Sequence, residues 1–270
     1  MLTEDKRAYK LKSGYLMPVL GLGTWDLRGS QCEKTVREAV ELGYTHIDTA
    51  QMYHNEDMIG RALKGLDRSR LFITSKVWCT DLEPAKLTKT CEDSLSKLGT
   101  DYLDLYLIHW PNDSVPMDQT MNAMAKLVVE GKVRSIGVSN FDVDHLKKAI
   151  DASEIAICNN QIEYHPLTKR SDIPQFCAEN GISLTAYSPL ARGRIFEVDV
   201  IRQAAANHGK TAAQVSLRWL VQKGCIVIPK SSSREHLEQN MDIFDWQLSD
   251  EEMAAIDSIP QQKRLVDTSF

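Results

Sequence analysis

The chain has no apolar run near the roughly 18 residues a membrane span needs. Its amino terminus, Met1-Leu-Thr-Glu-Asp-Lys, carries no apolar core of signal-peptide length. Both absences point to a cytoplasmic protein. No two of the six cysteines (Cys32, Cys79, Cys91, Cys158, Cys177, Cys225) form a C-x-x-C pair, so they read as reduced thiols and not as a disulfide framework or a zinc site. Charge of one sign is lacking as well. The net charge is -5 and the 32 Lys+Arg are scattered, leaving no basic footprint for nucleic acid and no polybasic patch for a membrane surface. What remains is an ordinary globular composition, 43% hydrophobic and 26% charged over 270 residues, which excludes disorder and fibrous repeats.

Several motifs are also missing. Gly21-Leu-Gly23 followed by Glu41 resembles a dinucleotide fingerprint, but Asp26 occupies the third glycine position and no strand-turn-helix surrounds it. Gly60 and Gly65 have phosphate-loop spacing, yet Leu66 stands where the lysine must be. There is no H-E-x-x-H, no G-x-S-x-G elbow and no cluster of His and Cys ligands, so no metal is expected and acyl transfer lacks its usual nucleophile.

Glycines punctuate the chain in a repeating way. Gly43, Gly99, Gly131, Gly181 and Gly224 each end an amphipathic segment a few residues before a β-rich run, the pattern of a helix C-terminus followed by a strand. The strands so marked are Thr45–Asp48, Leu103–His109, Val133–Ser139, Ile182–Tyr187 and Ile226–Pro229, joined by Leu71–Lys76, Ile155–Gln161 and Val19–Gly23. Helical patterns between them include Glu33–Leu42, Pro84–Leu98, Asp118–Glu130, Val143–Ile150, Ile173–Glu179, Ala212–Gln222 and Glu235–Met241. Alternation of helices with nearly continuous apolar strands implies an α/β fold with a parallel sheet covered by helices.

Eight such units point to a (β/α)8 barrel spanning residues 1–270 as a single domain, with a doubly wound open sheet as the alternative. Polar residues at strand exits favour the barrel. Asp48, Lys76, His109, Ser139, Asn140, Gln161, Tyr187, Ser188, Lys230 and Ser231 follow successive strands, the face on which barrel active sites are built, whereas an open sheet would gather them at one switch point. The start, Ala8–Lys12, Ser13-Gly14 and Tyr15–Met17, reads as a hairpin over residues 1–18 that plugs the opposite end of the barrel.

Four titratable groups stand out. Asp48 and Tyr53 lie five residues apart in His46-Ile-Asp-Thr-Ala-Gln-Met-Tyr-His-Asn55-Glu56, and Lys76 and His109 each end an apolar run. A buried lysine or histidine at a strand end is often only a structural ion pair. As a set, however, the four suit proton transfer. Tyrosine titrates near 10, so a cation must lower and position it before it donates at neutral pH. Lys76 supplies that charge, Asp48 holds Lys76, and His109 offers a second donor to an oxygen bound beside the phenol.

The residues resemble the aldo-keto reductases. The similarity runs through Gly21-Leu-Gly-Thr-Trp25, Ile47-Asp-Thr-Ala, Tyr53-His-Asn-Glu56, Lys76-Val-Trp78, Asp101–Pro111, Gly137-Val-Ser-Asn-Phe141, Asn160–Pro166, Ala186-Tyr-Ser-Pro-Leu190 and Ile228-Pro-Lys-Ser231. The resemblance implies a (β/α)8 barrel and hydride transfer from a reduced nicotinamide to a carbonyl carbon. Asp48, Tyr53, Lys76 and His109 match the family's catalytic set, with Tyr53 the general acid and His109 polarising the carbonyl.

By the same resemblance Ser139, Asn140 and Gln161 bond the nicotinamide carboxamide and Tyr187 stacks on its ring. Ser188, Leu190 and Gly193 cradle the pyrophosphate, while Lys230, Ser231 and Arg234 grip a 2′-phosphate, and Asn240 contacts adenine. The pattern departs at His236, where the family commonly has an arginine, and at Gln239, where it has an acid. A mostly neutral imidazole does not reproduce a guanidinium fork, so the expectation is a preference for NADPH with weaker discrimination against NADH than the family norm. Trp25, Trp78 and Trp110, with His54 nearby, are expected to line the substrate pocket. Short stretches at 111–118 and 190–199 and a brief tail from Gln262 to Phe270 imply an open pocket for small aldehydes, α-dicarbonyls and keto sugars, in a monomer. Two other readings stand beside this one: a cofactor-binding regulatory or structural barrel, and a sugar-phosphate isomerase that needs no nicotinamide.

Overall fold

The computed structural model describes residues 1–5, 7–168, 172–260 and 264–266. Two short strands, β1 (Ala8–Lys10) and β2 (Leu16–Pro18), pair antiparallel. Eight parallel strands follow: β3 (Leu22–Gly23), β4 (His46–Asp48), β5 (Phe72–Val77), β6 (Leu105–Ile108), β7 (Ile136–Ser139), β8 (Ile157–Glu163), β9 (Ser183–Tyr187) and β10 (Ile226–Val227). They neighbour one another in chain order. The first and last strands meet through Gly21 N to Val227 O (2.9 Å), Val227 N to Val19 O (2.8 Å) and Gly23 N to Pro229 O (3.1 Å), so the sheet closes on itself. The expected (β/α)8 barrel is the fold.

Helices alternate with the strands: α1 (Gly29–Leu42), α2 (Glu56–Leu63), α3 (Pro84–Leu98), α4 (Met117–Val129), α5 (Val143–Asp151), α6 (Asp172–Glu179), α7 (Asp199–His208), α8 (Ala212–Gln222), α9 (Arg234–Met241) and α10 (Asp250–Asp257). The α1 and α3 helices end as their glycines require. Gly43 and Gly99 adopt φ of 108° and 64° and return their N–H groups to preceding carbonyls, a turn that a side chain would strain. Three helices, α2, α7 and α10, lie outside the segments marked by periodicity. Two strands are longer than expected at their exits: β5 ends at Val77, one residue beyond Lys76, and β8 runs two residues beyond Gln161, where Glu163 pairs with Tyr187 of β9.

Two apolar layers hold the barrel. Outside the sheet, strand residues such as Ile47, Ile73, Tyr106 and Val138 pack against helix residues such as Val36, Leu87 and Trp219, all buried. Inside, at the end where the strands begin, Phe72, Leu105, Leu107, Cys158 and Ile226 form a separate cluster with Leu11 and Met17 from the hairpin. Above that cluster the interior turns polar. His46 Nε2 lies 3.2 Å from Thr74 Oγ1, and Asn159 Nδ2 donates to Ser183 and Thr185, each at 2.8 Å. The hydrogen-bonded shaft leads upward to the strand exits.

Candidate active site

Asp48 is the last residue of β4 and Lys76 lies near the end of the adjacent β5; both are fully buried. Lys76 Nζ donates to Asp48 Oδ1 at 2.5 Å and to the Thr49 carbonyl at 2.8 Å. The other carboxylate oxygen, Oδ2, accepts from Gln161 Nε2 at 2.7 Å. Tyr53 ends a 3-10 turn (Gln51–Tyr53) that places its ring 5.1 Å above the ammonium. His109 directly follows β6 and meets the phenol edge-on at 5.6 Å between ring centroids. The structure therefore brings all four groups together.

The Tyr53 turn is pinned by Asn55, a buried residue to which the sequence reading assigned no role. Its Oδ1 accepts from Thr49 Oγ1 (2.8 Å) and its Nδ2 donates to the carbonyls of Thr24 (2.8 Å) and Leu27 (3.2 Å). It ties the turn to the loops after β3 and β4. The residue before it, His54, is exposed with φ of 53° and lies outside the cavity lining. The left-handed backbone that finishes the turn directs this side chain to solvent, contrary to the expected place in the pocket.

The protonation pattern also differs from expectation. Burial, and after it the Asp48 carboxylate, push the Tyr53 phenol well above its usual value. The Lys76 ammonium, 5.1 Å from the ring, does not outweigh them. Burial lowers Lys76 itself, opposed by Asp48. His109 is driven well below 6.5 by burial first and by Lys76 second. At neutral pH the site thus holds a protonated phenol beside a neutral imidazole. Both can donate a hydrogen bond to an oxygen between them, and neither carries charge until that oxygen does.

A cavity of about 490 Å³ opens onto these groups. Trp25, Trp78 and Trp110 line it, as do Met52, Phe196 and Val266, which sequence reasoning missed. Of the expected cofactor residues, Asn140, Gln161, Tyr187, Ser188, Leu190, Gly193 and Lys230 line the same cavity. Arg192 joins them from a turn of repeated left-handed backbone: Ser188, Ala191, Arg192 and Gly193 have φ of 48°, 48°, 51° and 91°. Such conformations cost on the order of 1–3 kcal/mol for residues with a side chain and cluster at binding sites.

The other expected residues lie away from the cavity. Ser139 is buried and donates to the Gln161 carbonyl at 2.8 Å. Ser231 Oγ accepts from Ser233 N at 3.1 Å. Arg234 pairs with Glu41 (3.4 Å) and Glu238 (3.3 Å), Gln239 donates to Glu235, and His236 is exposed on α9. Asn240 is buried against Tyr44. The α9 helix thus turns its polar groups toward itself and α1.

One contributor comes from the far end of the chain. Arg264 Nη2 donates to Asn140 Oδ1 at 2.7 Å and to Tyr187 Oη at 3.0 Å, and its guanidinium lies 5.3 Å over the Trp110 ring. The next two amides, Leu265 N and Val266 N, donate to Glu163 at 2.8 and 2.9 Å. Glu163, fully buried at the end of β8, also pairs with His165 at 3.1 Å. Of the expected tail, Gln262 to Phe270, only residues 264–266 are among those described; Val266 lines the cavity and Arg264 covers Trp110, so the pocket is less open there than expected.

The chain belongs to the aldo-keto reductase family: the model of the aldo/keto reductase family matches residues 19–261. It is 42% identical over 268 residues to glyoxal reductase from Bacillus subtilis, covering 98% of this chain and 97% of that protein. It is 42% identical over 263 residues to methylglyoxal reductase DkgA from Yersinia pestis, covering 95% and 94%. A solved structure described as a putative 2,5-diketo-D-gluconic acid reductase B superposes with a TM-score of 0.94 at 37% identity, covering 98% and 96% of the two chains. The protein is an oxidoreductase that acts on carbonyl groups, in a family that generally uses nicotinamide cofactors.

Proposed function

We propose that this protein reduces small α-dicarbonyls, aldehydes and keto sugars to alcohols, with NADPH favoured over NADH by a small margin. The observation that carries the reading is the protonated Tyr53 phenol set above the Lys76–Asp48 pair and beside a neutral His109, facing a cavity walled by three tryptophans. When bound, the reduced nicotinamide supplies the hydride. The chain's own residues do the rest. His109 and Tyr53 grip the carbonyl oxygen with two neutral donors, and Tyr53 delivers its proton as that oxygen gains negative charge. Lys76 stabilises the resulting phenolate, and Asp48 keeps Lys76 charged and in place.

The residues present fit a nicotinamide dinucleotide. Asn140 and Gln161 offer amides at the catalytic end and Tyr187 a flat ring. The left-handed turn at 188–193 presents backbone N–H groups with the Arg192 charge, a form suited to phosphate oxygens. Lys230, exposed at the cavity, holds the adenosine end, with Ser231, Arg234, His236, Gln239 and Asn240 near it in sequence. Ion pairs to Glu41 and Glu238 occupy Arg234, which supports the narrow margin for NADPH.

We also take the chain to be one domain, its 1–18 hairpin closing the far end through Leu11 and Met17, and to act as a cytoplasmic monomer. Six buried free thiols support the compartment. Scattered exposed apolar residues, among which Trp25 and Phe196 line the cavity, support the monomer.

Initial rates for glyoxal, methylglyoxal, a keto sugar and a simple aldehyde, each with NADPH and NADH, test the reading. Turnover of the dicarbonyls with both cofactors is expected, and Tyr53→Phe should lower it by about 10²–10⁴-fold with the NADPH dissociation constant unchanged. Retained turnover in that variant, or sugar-phosphate isomerisation without nicotinamide, would overturn it.

A further inference from the structure

On the reductase reading, Asn140 meets the nicotinamide carboxamide, yet its side chain has no hydrogen-bonding capacity left. Its nitrogen donates to the His109 carbonyl (3.0 Å) and to Ser139 Oγ (3.1 Å), while its oxygen accepts from Tyr187 Oη and Arg264 Nη2, both at 2.7 Å. A primary amide has two donors and two lone pairs, and all four are engaged. A carboxamide N–H can reach Asn140 Oδ1 only if one donor leaves.

The two donors differ in freedom. Tyr187 is the rigid terminal residue of β9. Arg264 is long and 27% exposed, and it has a resting place for its charge, since Nε lies 3.9 Å from Glu163 and the guanidinium already covers Trp110. We propose that Arg264 is an internal competitor for the nicotinamide end of the site, displaced from Asn140 when the cofactor docks and held within reach by Glu163. The exchange replaces a charge-assisted hydrogen bond with a neutral one, the weaker of the two, so the guanidinium weakens cofactor binding. The buried carboxylate anchors residues 265 and 266 and thereby keeps the local concentration of the competitor high.

This inference rests on the proposed reductase function, and one titration separates the two. NADPH is added to the intact protein and to R264A, R264K and E163Q, and binding is followed by nicotinamide fluorescence, without substrate. Arg264→Ala should tighten NADPH binding on the order of tenfold. R264K, which keeps a charged donor, should stay nearer the parent, and E163Q should tighten binding by a smaller factor. Hydrogen exchange in E163Q should quicken at Leu265 and Val266 while the strands stay protected, which reports that the variant is folded. Equal or weaker NADPH binding by R264A overturns the competition. Unchanged binding by a folded E163Q overturns the anchor. A parent protein that binds neither NADPH nor NADH overturns the reductase reading itself.

Discussion

Replacing Lys76 with methionine isolates the pair beneath the phenol. The two side chains are of similar volume, so little cavity forms, and the loss is electrostatic. Both groups are buried, Lys76 completely. Removing one member of such a pair typically costs about 3–5 kcal/mol, and the Thr49 carbonyl, which loses its 2.8 Å donor, adds about 1 kcal/mol. The penalty has a ceiling, because the stranded carboxylate can take up a proton. An ordinary aspartate titrates near about 3.9 at about 1.36 kcal/mol per pH unit, so protonation costs about 4 kcal/mol at pH 7 and only about 1.5 kcal/mol at pH 5. The sign follows: the variant's carboxyl is raised relative to the unfolded chain, so its penalty grows as pH rises above about 3.9 and shrinks on acidification. Urea unfolding followed by far-ultraviolet circular dichroism should show K76M about 4 kcal/mol less stable than the parent at pH 7. That gap should narrow by roughly 2 kcal/mol at pH 5. D48N combined with K76M should recover most of the loss at pH 7. A deficit under about 1 kcal/mol, or one that widens in acid, would refute the account of this pair.

Two further outcomes follow from the barrel itself. A Cβ on Gly23 would sit 2.5 Å from the Ile228 carbonyl oxygen at the seam where β3 meets the last strand; Gly23→Ala should cost about 1–3 kcal/mol, and an unchanged thermal midpoint would contradict the close approach. Acid should weaken the fold through buried histidines. Burial lowers His46 to about 4 and His109 well below 6.5, so below about pH 6.5 the unfolded chain binds protons that the folded one refuses. Stability is then lost as pH falls, by roughly 1.4 kcal/mol per unit for each group, down to about pH 4 for His46. Urea midpoints that stay level between pH 7 and 5 would exclude that burial.

The barrel was legible because its signals are local. Amphipathic segments closed by a glycine announce the apolar strands, and Asp48, Lys76 and His109 interrupt three of those strands at their exits. Where a strand's exit is not marked, a residue goes with it: the apolar pattern of β8 points to an end at Gln161, and Glu163 lies two residues beyond, an acid at a strand exit like Asp48. The α10 helix had a readable start, the Ser249 and Glu252 capping box. Arg264 had none, since its contact with Asn140 spans 124 positions and no period or motif surrounds it. The phenol's protonation was misread for a similar reason. Sequence proximity suggests which charges meet, but only the fold shows how deeply the phenol is buried and that Asp48 adds to the effect of burial.

Asp48 has one more effect, exerted through its second oxygen. A carboxylate only accepts, so the Gln161 side chain must turn its nitrogen toward Oδ2 and leave its Oε1 as the atom free to face the cavity. The amide cannot flip without setting two oxygens against each other. The rim therefore has a fixed polarity, welcoming an incoming N–H and repelling a carbonyl at that point. One side chain at the end of β4 thus fixes both the Lys76 ammonium and the orientation of the Gln161 amide, and a substitution aimed at either contact would disturb the other.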